Sequence, residues 1–223
     1  MVLVTTVFFA ILAGLILALA GRFHWYAAWV FVGEFYAICM LLGFWLDRND
    51  RHLLAERLLP VVQTQQEGWD KILMVIGTVL TTAWITLMAL DAGRWHRHQL
   101  PWPLWVQAIG ALLLAACGYI VYRVFRENTF AAPIVRLQME REHKVISSGP
   151  YSYVRHPMYV GTMSFFVGAP LILGSLIGIY FLPLLTALLA VRIVLEERTL
   201  RLKLPGYEQY SEKVRYRLLP GIW

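Results

Sequence analysis

Apolar blocks about as long as a bilayer core is thick set the limits on how this chain folds. A helix needs about 20 such residues to cross the hydrocarbon. Four runs qualify: Val2–Ala20, Trp25–Leu46, Ile72–Leu90 and Leu104–Phe125. A fifth block, Met158–Leu195, is too long for one crossing and carries Gly174 and Gly178 near its middle. It reads as a tight helical hairpin of two spans. The expectation is an all-α integral membrane protein of about six transmembrane helices in a single domain. Residues 1–126 would supply four helices, and 127–223 a polar motif, the hairpin and a tail capping one membrane face. Composition agrees: 59% of residues are hydrophobic and 15% charged, against nearer half and a quarter in soluble domains. The first run ends in Ala18-Leu19-Ala20, a small-residue pattern that suits leader cleavage. No Lys or Arg precedes it and its apolar core is long, so a retained helix is expected.

Lys and Arg placement orients the chain. With the N-terminus in the cytoplasm, the outer loops Gly21–His24 and Asp91–Pro103 hold Arg22, Arg94 and Arg97, three of 20 basic residues. The other 17 (20 less three) fall in or beside cytoplasmic segments. Both termini and the polar 143–161 segment are thus expected in the cytoplasm, with a bacterial inner membrane as the expected location. The net charge of +6 suits an anionic leaflet, and no aromatic-studded basic stripe points to nucleic acid. Membrane lipids and a lipophilic or lipidated substrate are the expected partners. Cys39 and Cys117 fall within spans and read as packing residues. The first cytoplasmic loop, Asp47–Asp70, mixes charges and suits a short surface helix.

The candidate site lies at the ends of the hairpin. Residues 143–161 read H-K-V-I-S-S-G-P-Y-S-Y-V-R-H-P-M-Y-V-G, and R-I-V-L-E-E follows at Arg192–Glu197. Pro157 suits the first position of a helix, where a missing N–H costs nothing. Arg155 and His156 would then stand at the positive end of a helix dipole, a place that favours an anion. Glu196 and Glu197, read as ending the returning helix, call for a cation. Part of that cation could be internal, from Arg192 and Arg201 one turn away. An anion site beside a cation site reads a zwitterionic amino-acid head group, such as the methionine end of S-adenosylmethionine. Tyr151, Tyr153 and Tyr159 could offer aromatic faces to a sulfonium or adenine. The plainer reading is Arg-His touching lipid phosphates and Glu-Glu-Arg as a solvated helix end.

The pattern H-x-x-V-x-x-G-P-Y-x-x-V-R-H-P-x-Y-x-G, then R-I-x-x-E-E-x-x-L and G-Y-x-x-Y at Gly206–Tyr210, resembles the isoprenylcysteine carboxyl methyltransferase family. That family sits in a wider group of membrane methyltransferases that includes phospholipid N-methyltransferases and thiol S-methyltransferases. The resemblance covers roughly the last 80 residues. It implies methyl transfer from S-adenosylmethionine to a lipophilic acceptor, in an active site that opens sideways to the bilayer. It also implies cofactor-binding roles for His143, Gly149, Pro150, Tyr151, Arg155, His156, Tyr159, Glu196 and Glu197, with Arg155, His156 and Glu196 nearest the chemistry. The tail R-Y-R-L-L-P-G-I-W departs from the eukaryotic prenylcysteine enzymes, which leaves carboxylate, amine, hydroxyl and thiol acceptors all open.

Several residues stand outside this pattern. Glu34 lies within the second span, where an ionisable group is a functional candidate. It could line a substrate cavity, pair with Arg192, or bond a Tyr or Ser. Arg215 or Arg217 could orient an anionic substrate group or touch lipid phosphate. His96 and His98 flank Arg97 as H-x-H, too few ligands for an expected metal site. A sterol-reductase-like enzyme is the competing enzymatic reading, because such proteins have a loosely similar C-terminal half. It would need a basic pocket for the NADPH 2′-phosphate, against which the Glu pair argues. A transporter or assembly factor is the third reading, although no repeat or broken span marks one.

Overall fold

The computed structural model describes residues 1–95, 102–138 and 141–223. The chain there is all-helical. Helices α1 (Val2–Ala20), α2 (Tyr26–Asn49), α3 (Arg51–Leu58), α4 (Gly68–Met88) and α5 (Leu104–Glu127) make the first half, and α4 runs on as a π-helical segment, Ala89–Trp95. The second half holds α6 (Pro157–Leu173), α7 (Leu176–Tyr180), α8 (Leu182–Lys203) and α9 (Tyr207–Lys213). Five segments are long and apolar enough to cross a membrane: Val2–Ala20, Tyr26–Asn49, Gly68–Trp95, Leu104–Glu127 and Leu176–Lys203. The apolar α6 is 17 residues long and packs among them as the outgoing arm of the hairpin. The mixed-charge loop forms α3, capped by the Asp50 carboxylate accepting from the Leu53 N–H at 2.9 Å. His96 and His98 lie outside the described residues.

The hairpin turns where the sequence places its glycines. Gly174 adopts φ +71° and closes α6 by donating to the Pro170 carbonyl. Ser175 then caps α7 through its hydroxyl, which accepts from the Gly178 N–H at 3.0 Å. A span-end acid clamps this turn: the Asp91 carboxylate, 1% exposed, accepts from the Ser175 hydroxyl at 2.7 Å and the Ile177 N–H at 3.0 Å. Helices α5 and α6 approach almost backbone to backbone. A Cβ on Gly110 would stand 2.8 Å from the Gly168 carbonyl, and one on Gly168 the same distance from the Gly110 carbonyl. Small residues at a crossing let membrane helices gain backbone dispersion contacts where lipid offers no hydrophobic drive.

The main core joins α1, α2 and α4 to the hairpin around Phe31, Trp84, Met88, Phe166 and Ile172. A second cluster, with Leu46, Leu53, Val124 and Phe125, seals the end of α5 against α3. At that same membrane face converge the C-terminal ends of α2, α5 and α8 and the N-terminal ends of α4 and α6. The polar chain of the second half folds over them.

Candidate active site

A cavity of about 160 Å³ opens at this convergence. The non-helical stretches 130–136 and 143–146, the Tyr151 turn, the start of α6, the last turns of α8, and α9 line it. Of the residues expected from the sequence, His143, Tyr151, Arg155, His156, Tyr159 and Glu196 line the cavity. Gly149, Pro150 and Glu197 stand behind it. Tyr153 is 72% exposed and faces away.

Pro157 opens α6 with His156 as its cap residue, as expected. The charges around it differ from expectation. The Arg155 Nε donates to Glu197 at 2.6 Å, and its Nη1 donates to the carbonyls of Ser211, Val214 and Arg215. His156 Nε2 lies 3.2 Å from the same Glu197 oxygen, and Arg217 Nε donates to the other oxygen at 3.0 Å. Glu197 is 3% exposed, so this is a buried ionic knot with its hydrogen bonds filled. The backbone completes it, since the N–H groups of Arg155 and His156 donate to the carbonyls of Tyr216 and Arg217. Arg155 therefore fastens the tail to α8, and Arg217 is taken up by Glu197. For Glu197 the compensation comes from Arg155 and Arg217 and not from Arg201, while the Arg192 charge acts on Glu196 without an ion pair. Helix α8 also runs on to Lys203, so the two glutamates sit inside the helix and not at its negative end.

Glu196 has the opposite surroundings. Its Oε2 accepts from the Tyr159 hydroxyl at 2.6 Å, and no Lys, Arg or His lies within ion-pair distance of it among the described residues. Tyr159 stacks on His156 at 5.5 Å, with the Arg192 guanidinium 5.8 Å from its ring centroid. Arg192 is held in turn by Asp70, which is fully buried. The Arg192 Nε donates to Asp70 Oδ1 at 2.9 Å, and Gln66 Nε2 and the Val135 N–H each donate to Oδ2 at 2.8 Å. Asp70, and not Glu34, is the partner of Arg192. Glu34 lies half-buried on α2.

Three further cavity residues carry no site role from the sequence, although Tyr207 and Tyr210 belong to the G-Y-x-x-Y element of the resemblance. Phe130 stacks on His143 at 4.3 Å and lies under Arg141 at 5.1 Å. Tyr210 donates to the Tyr151 carbonyl at 2.8 Å. Tyr207, 4% exposed, has a buried hydroxyl with no hydrogen-bond partner. Burial pushes the Tyr207 phenol well up, helped by the nearby glutamates, so the hydroxyl stays protonated. Gly149 explains itself sterically: φ is +56° and a Cβ would meet the Glu127 side chain at 2.5 Å.

The residues fit an amino-acid cofactor bearing positive charge. A carboxylate at the cavity wall lacks an ion pair, a buried hydroxyl lacks a partner, and aromatic rings are among the lining residues. Buried polar groups are almost always satisfied, and the Tyr207 hydroxyl is an exception beside this cavity. The helices describe a multi-pass membrane protein with a cavity where several helix ends meet, and comparison with known proteins adds what the chain is similar to.

Residues 105–204 match the phospholipid methyltransferase family. The chain is similar to protein-S-isoprenylcysteine O-methyltransferase of Schizosaccharomyces pombe, 35% identical over 83 residues, which cover 36% of this chain and 35% of that protein. It is also similar to a probable protein-S-isoprenylcysteine O-methyltransferase of Oryza sativa subsp. indica. There the identity is 29% over 114 residues, 49% of this chain and 60% of the relative. The resemblance to the isoprenylcysteine carboxyl methyltransferase family is thus borne out over the half of the chain that carries the site. The matched region begins at α5, upstream of the motif, and the tail that closes the cavity lies beyond it.

Proposed function

We propose that the chain is an integral membrane methyltransferase that binds S-adenosylmethionine in this cavity and methylates a lipophilic acceptor arriving from the bilayer. The observation that carries the reading is the split glutamate pair. Glu197 is consumed in holding the tail, and Glu196 faces the cavity with no ion pair among the described residues. When bound, S-adenosylmethionine supplies an electrophilic methyl group on a positively charged sulfur. Glu196 binds positive charge there, oriented by the Tyr159 hydroxyl. The Asp70–Arg192 pair keeps the Tyr159 ring in place, and the Tyr207 hydroxyl fills its missing hydrogen bond on the ligand. His143 and Phe130 present stacked faces at the opposite wall. His156, Arg155 and Glu197 lock the tail over the site, which excludes water and fixes the reacting groups, and positioning of this kind supplies a large share of catalysis. The basic-residue asymmetry supports a cavity on the cytoplasmic side.

Calorimetric titration of purified protein with S-adenosylmethionine, its demethylated product and NADPH tests this. Saturable binding of the first two alone is expected, weakened in Glu196→Gln and Tyr207→Phe. Binding of NADPH alone would overturn it in favour of a reductase. A labelled methyl group transferred into lipid extracts would complete the assignment.

A further inference from the structure

Arg57 carries a charge that no carboxylate answers among the described residues. Around the cavity, Arg155 and Arg217 hold Glu197, Arg192 holds Asp70 and Arg136 holds Glu56, while Arg141 donates to oxygens of Thr129 and Gln138. Arg57 has no carboxylate within ion-pair distance and no oxygen acceptor among the described residues. Its Nε is buried without a partner, and its Nη2 reaches only the Met158 thioether at 3.1 Å. A thioether is a weak acceptor. The guanidinium plane lies 4.4 Å from the Phe125 centroid, within the apolar cluster of Leu46, Leu53 and Val124. Burial draws its pKa down to about 10, the shift of a cation lacking its anion. A protein gains nothing in stability from such a group.

Its position gives the missing partner a direction. Met158 also lines the cavity, so Arg57 stands one side chain away from the methyl-donor site. The residues directly after it, Leu58, Leu59, Val61 and Val62, expose apolar side chains at the same membrane face. A segment of that kind rests in the lipid interface.

We propose that Arg57 recognises the methyl acceptor by binding an oxyanion, a carboxylate or a phosphate, borne on an apolar chain that enters from the bilayer. The proposal rests on the cavity being the donor site. The oxyanion displaces the Met158 sulfur from Nη2 and takes the orphaned Nε as well, the two-pronged geometry that guanidinium offers and ammonium does not. Met158, with its flexible thioether, yields at low cost. The apolar chain then lies along Leu58, Leu59, Val61 and Val62.

The test uses the full chain in an alkyl-maltoside micelle, which contains no oxyanion, and reads tryptophan fluorescence on titration with dodecanoate, dodecyl phosphate and dodecanol. Saturable binding of one or both anions is expected, with dodecanol weaker. Arg57→Met should lose affinity for the anion by about 10-fold or more, the worth of a charge-assisted hydrogen bond, with dodecanol unaffected. Arg57→Lys should fall between. The tighter of the two anions identifies the acceptor as a lipid acid or a phospholipid. Product binding is measured in parallel and should be unchanged in Arg57→Met, whose melting temperature should equal or exceed the parent's. Equal binding of dodecanol and the anions would overturn the proposal, as would anion affinity unchanged in both variants. So would loss of product binding in Arg57→Met. Failure of the parent to bind the product, with Arg57-dependent anion binding intact, would overturn the donor-site reading and leave the oxyanion site standing.

Discussion

Glu196→Gln and Glu197→Gln change adjacent residues in the same way, and their surroundings predict opposite results. At Glu197 the change strips the charge from a carboxylate that Arg155, His156 and Arg217 share. Two guanidinium groups are left facing each other where water is scarce, and breaking a buried ion pair typically costs about 3–5 kcal/mol. The expected outcome is a lower melting temperature and a protease-sensitive tail. At Glu196 the same change removes no ion pair and keeps a hydrogen-bond acceptor for Tyr159. Melting should hold near the parent value while affinity for S-adenosylmethionine falls by about 10-fold or more, as for a lost charged hydrogen bond. A Glu196 variant that melts early and binds normally would reverse the assignment. Asp70→Asn belongs at this scale too. It weakens the anchor on Arg192 and, through it, the seat of Tyr159, so cofactor affinity should drop although Asp70 touches no ligand. Asp70→Glu, which restores the charge, should recover part of it, whereas a purely structural loss would lower the melting temperature alone.

Among the helices, what the sequence could reveal depended on whether a signal was local. Span lengths are local, and Val2–Ala20 and the start at Leu104 coincide with the observed helices. The hairpin turn was legible for the same reason, since Gly174 and Gly178 fall near the middle of a block too long for one crossing. The α3 helix followed from its charge mixture. Asp70 gave no such signal. An acid at the start of a span looks like ordinary interfacial polarity, and its partner Arg192 lies on another helix, 122 residues away. The same distance hid the division of labour between Glu196 and Glu197, because the cations that claim Glu197 come from the tail and the α6 cap. Nor did spacing disclose which apolar faces meet. The α5–α6 crossing depends on Gly110 and Gly168, and α6 is short and nearly uniform in apolarity. Gly168→Val would drive a branched side chain into the Gly110 carbonyl. It should lower the melting temperature by several degrees and weaken cofactor binding, because α6 carries His156 and Tyr159. Gly14→Val is the control, with nothing within 4 Å of its added Cβ, and it should change neither.

For the molecule as a whole, the cavity exists only while the tail is docked, and three tyrosines tie that docking to pH. Tyr151 hydrogen-bonds Asn128 through its hydroxyl and receives the Tyr210 hydroxyl at its carbonyl. Tyr207 and Tyr210 pack with Leu204 in a small core of their own. Burial raises all three phenols, Tyr151 to about 12 and the other two further. In an undocked tail each would ionise near the free value of about 10. The docked state therefore keeps protons that the undocked state gives up. Its advantage is complete below pH about 10 and drains away as pH climbs from there to the docked values, between about 10 and about 12 for Tyr151. Each unit of pH in that window removes about 1.4 kcal/mol per tyrosine that stays protonated. Tail protection against a protease should accordingly be flat through neutral pH and collapse in strong alkali, together with the rise of tyrosinate absorbance. Tyr207→Phe takes away one titrating group without breaking any hydrogen bond within the chain, so its alkaline collapse should be shallower at unchanged neutral stability. A tail that opened below pH about 9 would instead point to the ionic knot at Glu197. The alkaline profile thereby separates the two fastenings, phenol packing on the outside and buried charge beneath, that hold the tail over the cavity.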